Sequence, residues 1–286
     1  MPNWSYNTIA LQGKKDAMHK FIKIGLENSG LVSTGNIDDD FALLVKEGKT
    51  KVVNGINTIG LETYLSARTF LPIPDTFLLY DTTNYPNKYP VDVVKEQKEK
   101  YGAIGWYDYN CKTLGVKWNF KIGEDVEPSL DYVNGTYRII FRCDTAWSMP
   151  IAWLVSVKEL VPDLFVGIMS HEESGQWYMV GYIENGVFCD YADYTEKMNK
   201  MFEDFNNARM LATQRIKSDD AKMAEIKATV LEENSDKELS DEELQNKIDW
   251  EIELLVDKEV GEWVDDNCIY DDLDESFANM IDEKLS

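Results

Sequence analysis

The sequence is poor in the side chains on which metal centres and acid–base catalysis usually depend, because its 286 residues include only two histidines and four cysteines. The cysteines stand 32, 46 and 79 residues apart without any CxxC pair, and this spacing excludes a zinc knuckle. We expect them to be reduced, buried thiols. Because GxSxG, P-loop, GxGxxG and HExxH motifs are absent too, the sequence predicts a non-enzymatic protein without a cofactor or a metal site.

Long hydrophobic runs are also missing. No stretch of about 18 apolar residues occurs, so the sequence predicts no membrane span. The opening MPNWSYNTIALQGKK has no basic segment followed by an apolar core, so we expect no secretory signal. These features favour a cytoplasmic location.

Positive charge is scarce, with 29 basic side chains against 52 acidic ones and a formal net charge of -23. Phosphates and anionic lipid heads repel such a chain, so we expect neither direct nucleic-acid nor membrane binding. The charge is concentrated, because residues 231–286 hold 21 acidic and 4 basic side chains, whereas residues 191–230 hold 7 of each sign. A basic protein is therefore the expected partner of the C-terminal region.

Glycine and proline nearly disappear after residue 190. Residues 191–286 contain one glycine and no proline, whereas the first 190 residues contain sixteen glycines and all eight prolines. This shift predicts a boundary between an α+β domain at 1–190 and a helical region at 191–286 that is strongly acidic from residue 231.

Hydrophobic periodicity gives the element order of the first domain. An insertion at about 27–91 interrupts it. Without this insertion and the last strand, the order is βαββαβ, the split βαβ or ferredoxin-like arrangement, in which helices cover one face of an antiparallel sheet. The pattern predicts strands at 6–11, 76–80, 136–143, 164–170 and 176–184, and helices at 16–26, 58–68, 91–100 and 150–160.

The C-terminal region has helical spacing throughout. Apolar residues predict one helix over 194–231, and a capping box at 240–243 precedes a second helix. A last short helical segment is predicted at 277–285. The second helix carries an apolar stripe of Leu244, Ile248, Ile252, Leu255, Val256, Val260 and Trp263.

Three stretches share features with one known family: MPNW followed by Asn7, WYDYN at 106–110 with LGVKWN at 114–119, and TAWSMP at 145–150. Together they resemble the YubB-type ferredoxin-like family of phages, plasmids and integrated elements. Ser5, Leu114, Val116 and Met149 depart from the family pattern. The resemblance covers about 1–190. It implies a ferredoxin-like fold and a protein encoded by a mobile element in a bacterial host cell, but it implies no reaction.

Aromatic residues around position 110 permit two interpretations. One is a platform that stacks on the rings of a small ligand or a nucleotide. The other is a sheet core of Trp106, Trp118 and Trp147, with a charged pair at its rim. Candidate ligand-binding residues are Trp106, Tyr107, Asp108, Lys117 and Trp118.

The acidic region leads to the main functional hypothesis. Carboxylates held along a helix imitate the charge density of a nucleic-acid backbone. The sequence therefore predicts a phage or mobile-element protein that binds a basic surface of a host protein, and in a narrower version inhibits a host defence system by nucleic-acid mimicry. A solvated tail that aids solubility is the alternative, and homo-oligomerisation stays open. Candidate partner-binding residues are Glu242, Glu243, Asp249, Glu253, Asp257, Asp265, Asp266, Asp271, Asp272 and Asp274.

Two further carboxylates, Glu172 and Glu173, lie in a predicted strand-linking turn. Adjacent carboxylates in such a turn point in different directions, so general acid–base catalysis is not favoured. We expect a solvated turn.

Overall fold

The computed structural model describes residues 3–48, 65–74, 76–77, 91–123, 127–235, 239–266 and 269–285, with the side chains of 261–266 and 269–270 excepted. The chain has mixed α/β structure and divides into two compact units. The first unit is Met1–Asp193 together with Leu273–Ser286, and the second is Tyr194–Asp272.

The first unit is built on a six-stranded antiparallel sheet of order β2-β3-β1-β4-β5-β6. The predicted strands at 6–11, 136–143, 164–170 and 176–184 are confirmed, whereas the patterns did not identify β2 or β6. The strands are β1 (Trp4–Gly13), β2 (Ser129–Val133), β3 (Thr136–Ala146), β4 (Phe165–Glu172), β5 (Tyr178–Glu184) and β6 (Val187–Asp193).

One face of this sheet holds the main hydrophobic core. Ile9 of β1 lies opposite Phe141 of β3 and Ile168 of β4, and all three are buried. The predicted inward face of the first helix is confirmed, because Met18, Phe21, Ile22 and Leu26 are buried in the same core. The helices of this unit before β6 are α1 (Lys15–Asn28), α2 (Ile37–Glu47), α3 (Ala67–Phe70), α4 (Val91–Tyr101), α5 (Trp106–Thr113) and α6 (Ile151–Leu160).

The opposite face of the sheet is covered as well, so the expectation of helices on one face only is wrong. The C-terminal helix α10 (Ile269–Leu285) places Met280 against Gly167 of β4, where a Cβ atom would lie 2.8 Å from the Met280 methyl carbon. Across the strand pair, Lys284 Nζ lies 4.1 Å from the ring centroid of Tyr182. The segment 273–285 therefore groups with the sheet and not with the preceding helices, and its side chains Leu273, Phe277, Met280 and Ile281 are buried.

The insertion is partly described. The acidic run at 38–40 lies in the first turn of α2, where Asn36 Oδ1 accepts hydrogen bonds from the Asp38 and Asp39 amides. Most of the predicted helix at 58–68 and of the predicted strand at 76–80 lies outside the described residues. Where that strand is described, residues 76–77 are helical.

The second unit consists of α7 (Thr195–Ser218), α8 (Asp220–Glu233) and α9 (Asp241–Asp266). The prediction of one continuous helix over 194–231 is wrong, because α7 ends at Ser218 and α8 begins at Asp220. The carboxylate of the intervening Asp219 accepts a hydrogen bond from the Lys222 amide and caps α8. The predicted capping box is confirmed, because Ser240 and Glu243 exchange hydrogen bonds. The core contains Ala212, Ile216, Ile226, Val230, Ile248, Ile252, Val256 and Val260.

Candidate functional site

The predicted partner-binding carboxylates lie on α9 and α10, but they do not form one uniform array. Glu242, Glu253, Asp271 and Asp274 are exposed. Glu243 is exposed too, although its carboxylate caps α9 through Ser240. The side chains of Asp265 and Asp266 lie outside the described residues.

Three more of these carboxylates form ion pairs within the second unit. Asp249 accepts a hydrogen bond from Lys217 at 3.1 Å, Asp257 lies 2.5 Å from Arg209 NH1, and Asp272 lies 2.5 Å from Lys197 Nζ. The hydrogen bond from Lys217 lowers the pKa of Asp249. Basic residues of α7 thus neutralise part of the acidic surface, which the separate charge counts for 191–230 and 231–286 could not reveal.

An apolar patch interrupts the acidic surface of α9. Trp250 is 61% exposed and Leu254, one turn later, is 46% exposed. Both residues lie outside the buried stripe of this helix, and the exposed Glu253 and Asp257 follow Trp250 at three and seven residues. Their position outside the apolar stripe is visible in the sequence, but the predicted partner-binding residues were carboxylates only. Tryptophan is enriched among the residues that contribute most to binding at the centre of protein interfaces.

The structure divides the predicted aromatic ligand site between two places. Trp106 and Tyr107 lie on α5, with their ring centroids 6.2 Å apart, and Asp108 on the same helix is exposed. Trp118 instead contacts Trp4 and Trp147, at centroid distances of 6.1 Å and 6.5 Å.

Lys117 belongs to the second of these places. Its Nζ lies 4.7 Å from the ring centroid of Trp118 and 4.4 Å from that of Trp147. The predicted rim pair with Asp108 is not among the salt bridges of the described residues, whereas both ring distances fit a cation–π contact. We call Trp4, Lys117, Trp118 and Trp147 the tryptophan–lysine site.

The backbone around Trp147 is held in an unusual conformation. Trp147 has φ +73°, a region that costs a residue other than glycine of order 1–3 kcal/mol. Its amide donates to the Asn3 carbonyl at 2.9 Å, and the following Ser148 hydroxyl donates to the Gly115 carbonyl at 2.7 Å. All three stretches of the family resemblance therefore meet at this end of the sheet. Trp147 is 49% exposed, so the interpretation of the tryptophans as sheet core is wrong for this residue.

Behind this end of the sheet lies a buried polar network centred on Asn7. The Asn7 amide donates to the Cys143 carbonyl at 3.0 Å and to Thr145 Oγ1 at 2.9 Å. Its Oδ1 accepts from the hydroxyls of Ser5 at 3.1 Å and Ser170 at 2.8 Å. The side chains that form these bonds are buried, so the network holds the ends of β1, β3 and β4 in one register.

Glu172 is 1% exposed, so the expectation of a solvated turn is wrong for this residue, although Glu173 is exposed. Burial raises the pKa of Glu172, but hydrogen bonds from Ser174 and Gln176 outweigh burial and hold this pKa below its usual value. A carboxylate with a lowered pKa is a weak general base. Its position, accepting from the Ser174 amide at 2.9 Å and hydroxyl at 2.5 Å, makes it the support of the β4–β5 turn.

Two searches of the described residues gave negative results. No cluster of three or more histidine, cysteine, aspartate or glutamate side chains is arranged to hold a metal ion there. In the same part of the chain, no helix combines the length and the apolar character that crossing a membrane requires.

Comparison with known proteins gives no match to a family model, to a curated protein or to a solved structure. The resemblance to the YubB-type family therefore stays a prediction.

Proposed function

We propose that the protein is a non-enzymatic interaction protein whose second unit binds a basic, amphipathic surface of a partner protein. The observation that carries this proposal is the exposed pair Trp250 and Leu254 on the acidic helix α9. We call this pair with the flanking Glu253 and Asp257 the α9 patch.

The proposal combines two forces with different roles. Apolar burial of a tryptophan at the centre of an interface contributes about 2 kcal/mol or more to affinity. The surrounding carboxylates accelerate association with a basic surface and select against acidic ones. Residues 194–272 carry 23 acidic and 10 basic side chains, so the field around the α9 patch favours a cationic partner.

The partner chemistry follows from the arrangement of the patch. Trp250 and Leu254 lie one helical turn apart, which suits an apolar ridge about as wide as one side of a helix. Lysine or arginine side chains beside that ridge would meet Glu253, since Asp257 is paired with Arg209 within the unit. The fitting partner is therefore an amphipathic helix with basic flanks.

The narrower hypothesis, inhibition of a host defence system by nucleic-acid mimicry, also involves the second unit, but it attributes binding to different side chains. Mimicry depends on carboxylates and not on Trp250. The ion pairs of Asp249, Asp257 and Asp272 reduce the regularity of the carboxylate array, which favours the amphipathic partner over pure charge mimicry.

The first experiment titrates the full chain with a synthetic amphipathic helix of leucine and lysine residues, measured by calorimetry at low and high salt. The double variant Trp250→Ala with Leu254→Ala should bind at least about tenfold more weakly, since an apolar anchor is lost. Leu211→Ala is the matched control, because Leu211 is equally exposed, at 61%, on α7.

A second variant removes charge without breaking the ion pairs of α7 and α9. It combines Glu242→Gln, Glu253→Gln and Asp271→Asn, which are all exposed positions of the second unit. We expect slower association and a weaker dependence on salt. Binding that the charge variant abolishes but the apolar variant leaves intact would favour mimicry, and binding that neither variant changes would refute the proposal.

For the first unit, we propose a ferredoxin-like split βαβ body extended by β5 and β6. The strand order β2-β3-β1-β4 supports it, as does the placement of α1 after β1 and of α6 between β3 and β4. The mobile-element setting rests on the three motif stretches alone, and recovery of the gene beside phage or plasmid genes would test it.

A further inference from the structure

We propose that the tryptophan–lysine site binds a small planar ring that carries one anionic group, and that a mononucleotide is the ligand class that fits it. The site lies in the first unit and is independent of the α9 patch. The juxtaposition that carries the proposal is an exposed indole, Trp147, in contact with the ammonium of Lys117.

The tryptophans of this unit occupy contrasting environments. Trp153 is fully buried and donates a hydrogen bond to the Ala67 carbonyl at 3.2 Å, as a core tryptophan does. Trp147 is 49% exposed in the same unit. Leaving half of an indole in water forgoes burial energy that Trp153 realises, so the exposed ring is available for stacking.

Trp147 is also fixed in place. Its backbone has φ +73°, and the hydrogen bond to Asn3 and the neighbouring bonds of Thr145 Oγ1 and Ser148 hold the turn. A backbone that is already held in place leaves less entropy to be lost when a ligand stacks on the ring that it carries. Preorganisation of this kind is typical of binding sites.

Lys117 determines the charge of the ligand. Its ammonium lies over Trp118 and Trp147, and no carboxylate of the described residues forms a salt bridge with it. An anionic group beside Trp147 would gain a charge-assisted hydrogen bond. A cationic ligand would meet a like charge at short range.

The size of the ligand follows from the charge of the protein. A nucleic-acid strand brings many phosphates, and a chain of net charge -23 repels it. One described ammonium matches one phosphate. Stacking of a base on an aromatic side chain contributes about 1–3 kcal/mol, and this contribution does not depend on which base is present.

The test follows the indole N–H signals of the eight tryptophans by NMR during titration of the full chain with AMP. Trp→Phe variants assign the signals. We expect AMP to shift the signals of Trp147 and Trp118 and to leave that of Trp250 unchanged. Adenosine and ribose 5-phosphate, which each carry half of the ligand, should bind at least about tenfold more weakly than AMP, since each lacks one interaction.

Two variants test the contributions of the Lys117 charge and of the Trp147 ring separately, and the folding of each is checked. Lys117→Met keeps the length of the side chain and removes its charge, and should weaken AMP about tenfold without changing adenosine binding. Trp147→Gly removes the indole at a backbone conformation that glycine adopts without strain, so lost binding cannot be assigned to a strained backbone. Circular dichroism and thermal unfolding check that both variants are folded.

Three outcomes would overturn the proposal. One is the absence of any shift at millimolar AMP. Another is binding that Trp147→Gly leaves intact, because the ring would then have no part in it. The third is a shift with tetramethylammonium but not with AMP. This result would show that the indoles bind cations and that Lys117 occupies this cation site in the free protein.

Discussion

The two units of this protein use polar side chains in opposite ways. In the first unit polar groups are buried and joined to one another, as in the network of Asn7 with Ser5, Thr145 and Ser170. In the second unit the charges lie on the helix surfaces, and Asn234 is the one buried polar residue that the described part of this unit contains. Buried networks fix geometry, whereas surface charges set the long-range field. A preorganised ligand site therefore fits the first unit, and an electrostatically guided partner surface fits the second.

The largest expected effect in this comparison comes from the core of the first unit. Trp153→Ala should lower its free energy of unfolding by about 3–5 kcal/mol, because a fully buried indole and its hydrogen bond to Ala67 are lost. Denaturant unfolding followed by circular dichroism measures this change. Trp250→Ala, at a 61% exposed position of the second unit, should change stability by less than about 0.5 kcal/mol. Equal losses in the two variants would contradict the comparison.

The next effect tests the buried polar network. Asn7→Ala should destabilise the first unit by about 2–3 kcal/mol, because Thr145, Ser170 and the Cys143 carbonyl lose their partner inside the protein. The matched surface change is Asn246→Ala on the exposed side of α9. Chemical denaturation of both variants measures the difference, and a loss below that of Asn246→Ala would show that the network contributes nothing.

A third prediction concerns pH. The hydrogen bonds to Glu172 lower its folded pKa, so its stabilising contribution is complete above the unfolded pKa near 4.3 and disappears as the pH falls through the folded value. Glu172→Gln should cost about 1–2 kcal/mol at pH 7 and make the acid side of the stability profile less steep. Unfolding measured from pH 7 to 3 tests this. Glu173→Gln, at the exposed neighbouring position, should follow the wild-type profile.

The smallest expected effect belongs to the ion pairs of the second unit. Arg209→Gln removes the ion pair between Arg209 and Asp257. Because the Arg209 side chain is 35% exposed and that of Asp257 is 52% exposed, the free energy of unfolding should fall by no more than about 1 kcal/mol. High salt should reduce the difference between variant and wild type. Thermal unfolding at two salt concentrations provides the measurement, and a large loss that salt does not affect would show that Arg209 acts through packing.

Local patterns predicted the regular elements well where one face of an element is apolar. The inward face of α1 and the buried stripe of α9 follow from spacing alone, since a helix repeats every 3.6 residues whatever it packs against. The strands β2 and β6 were missed, although Asn134-Gly135 directly follows β2 and Asn185-Gly186 directly precedes β6, both at tight turns with positive φ. Such Asn-Gly pairs are a strong hairpin signal, and they could have located both strands.

The candidate sites were less predictable because they depend on contacts between distant segments. Lys117 and Trp118 were identified from their own neighbourhood, but their partners are Trp4 and Trp147, which β1 and the end of β3 supply. Carboxylates such as Asp257 were counted as available, whereas Arg209 of another helix pairs with it. No count along the chain reveals such a pairing.

The sequence by itself determined the charge of the protein, the change of composition near residue 190 and the helical periodicity of the C-terminal region, because these depend on residue type and local spacing. Only the tertiary structure decided that α10 covers the second face of the sheet, that Glu172 is buried and that Trp118 and Trp147 meet around Lys117. Burial and pairing are properties of the whole fold, since each requires a partner that chain connectivity alone does not specify.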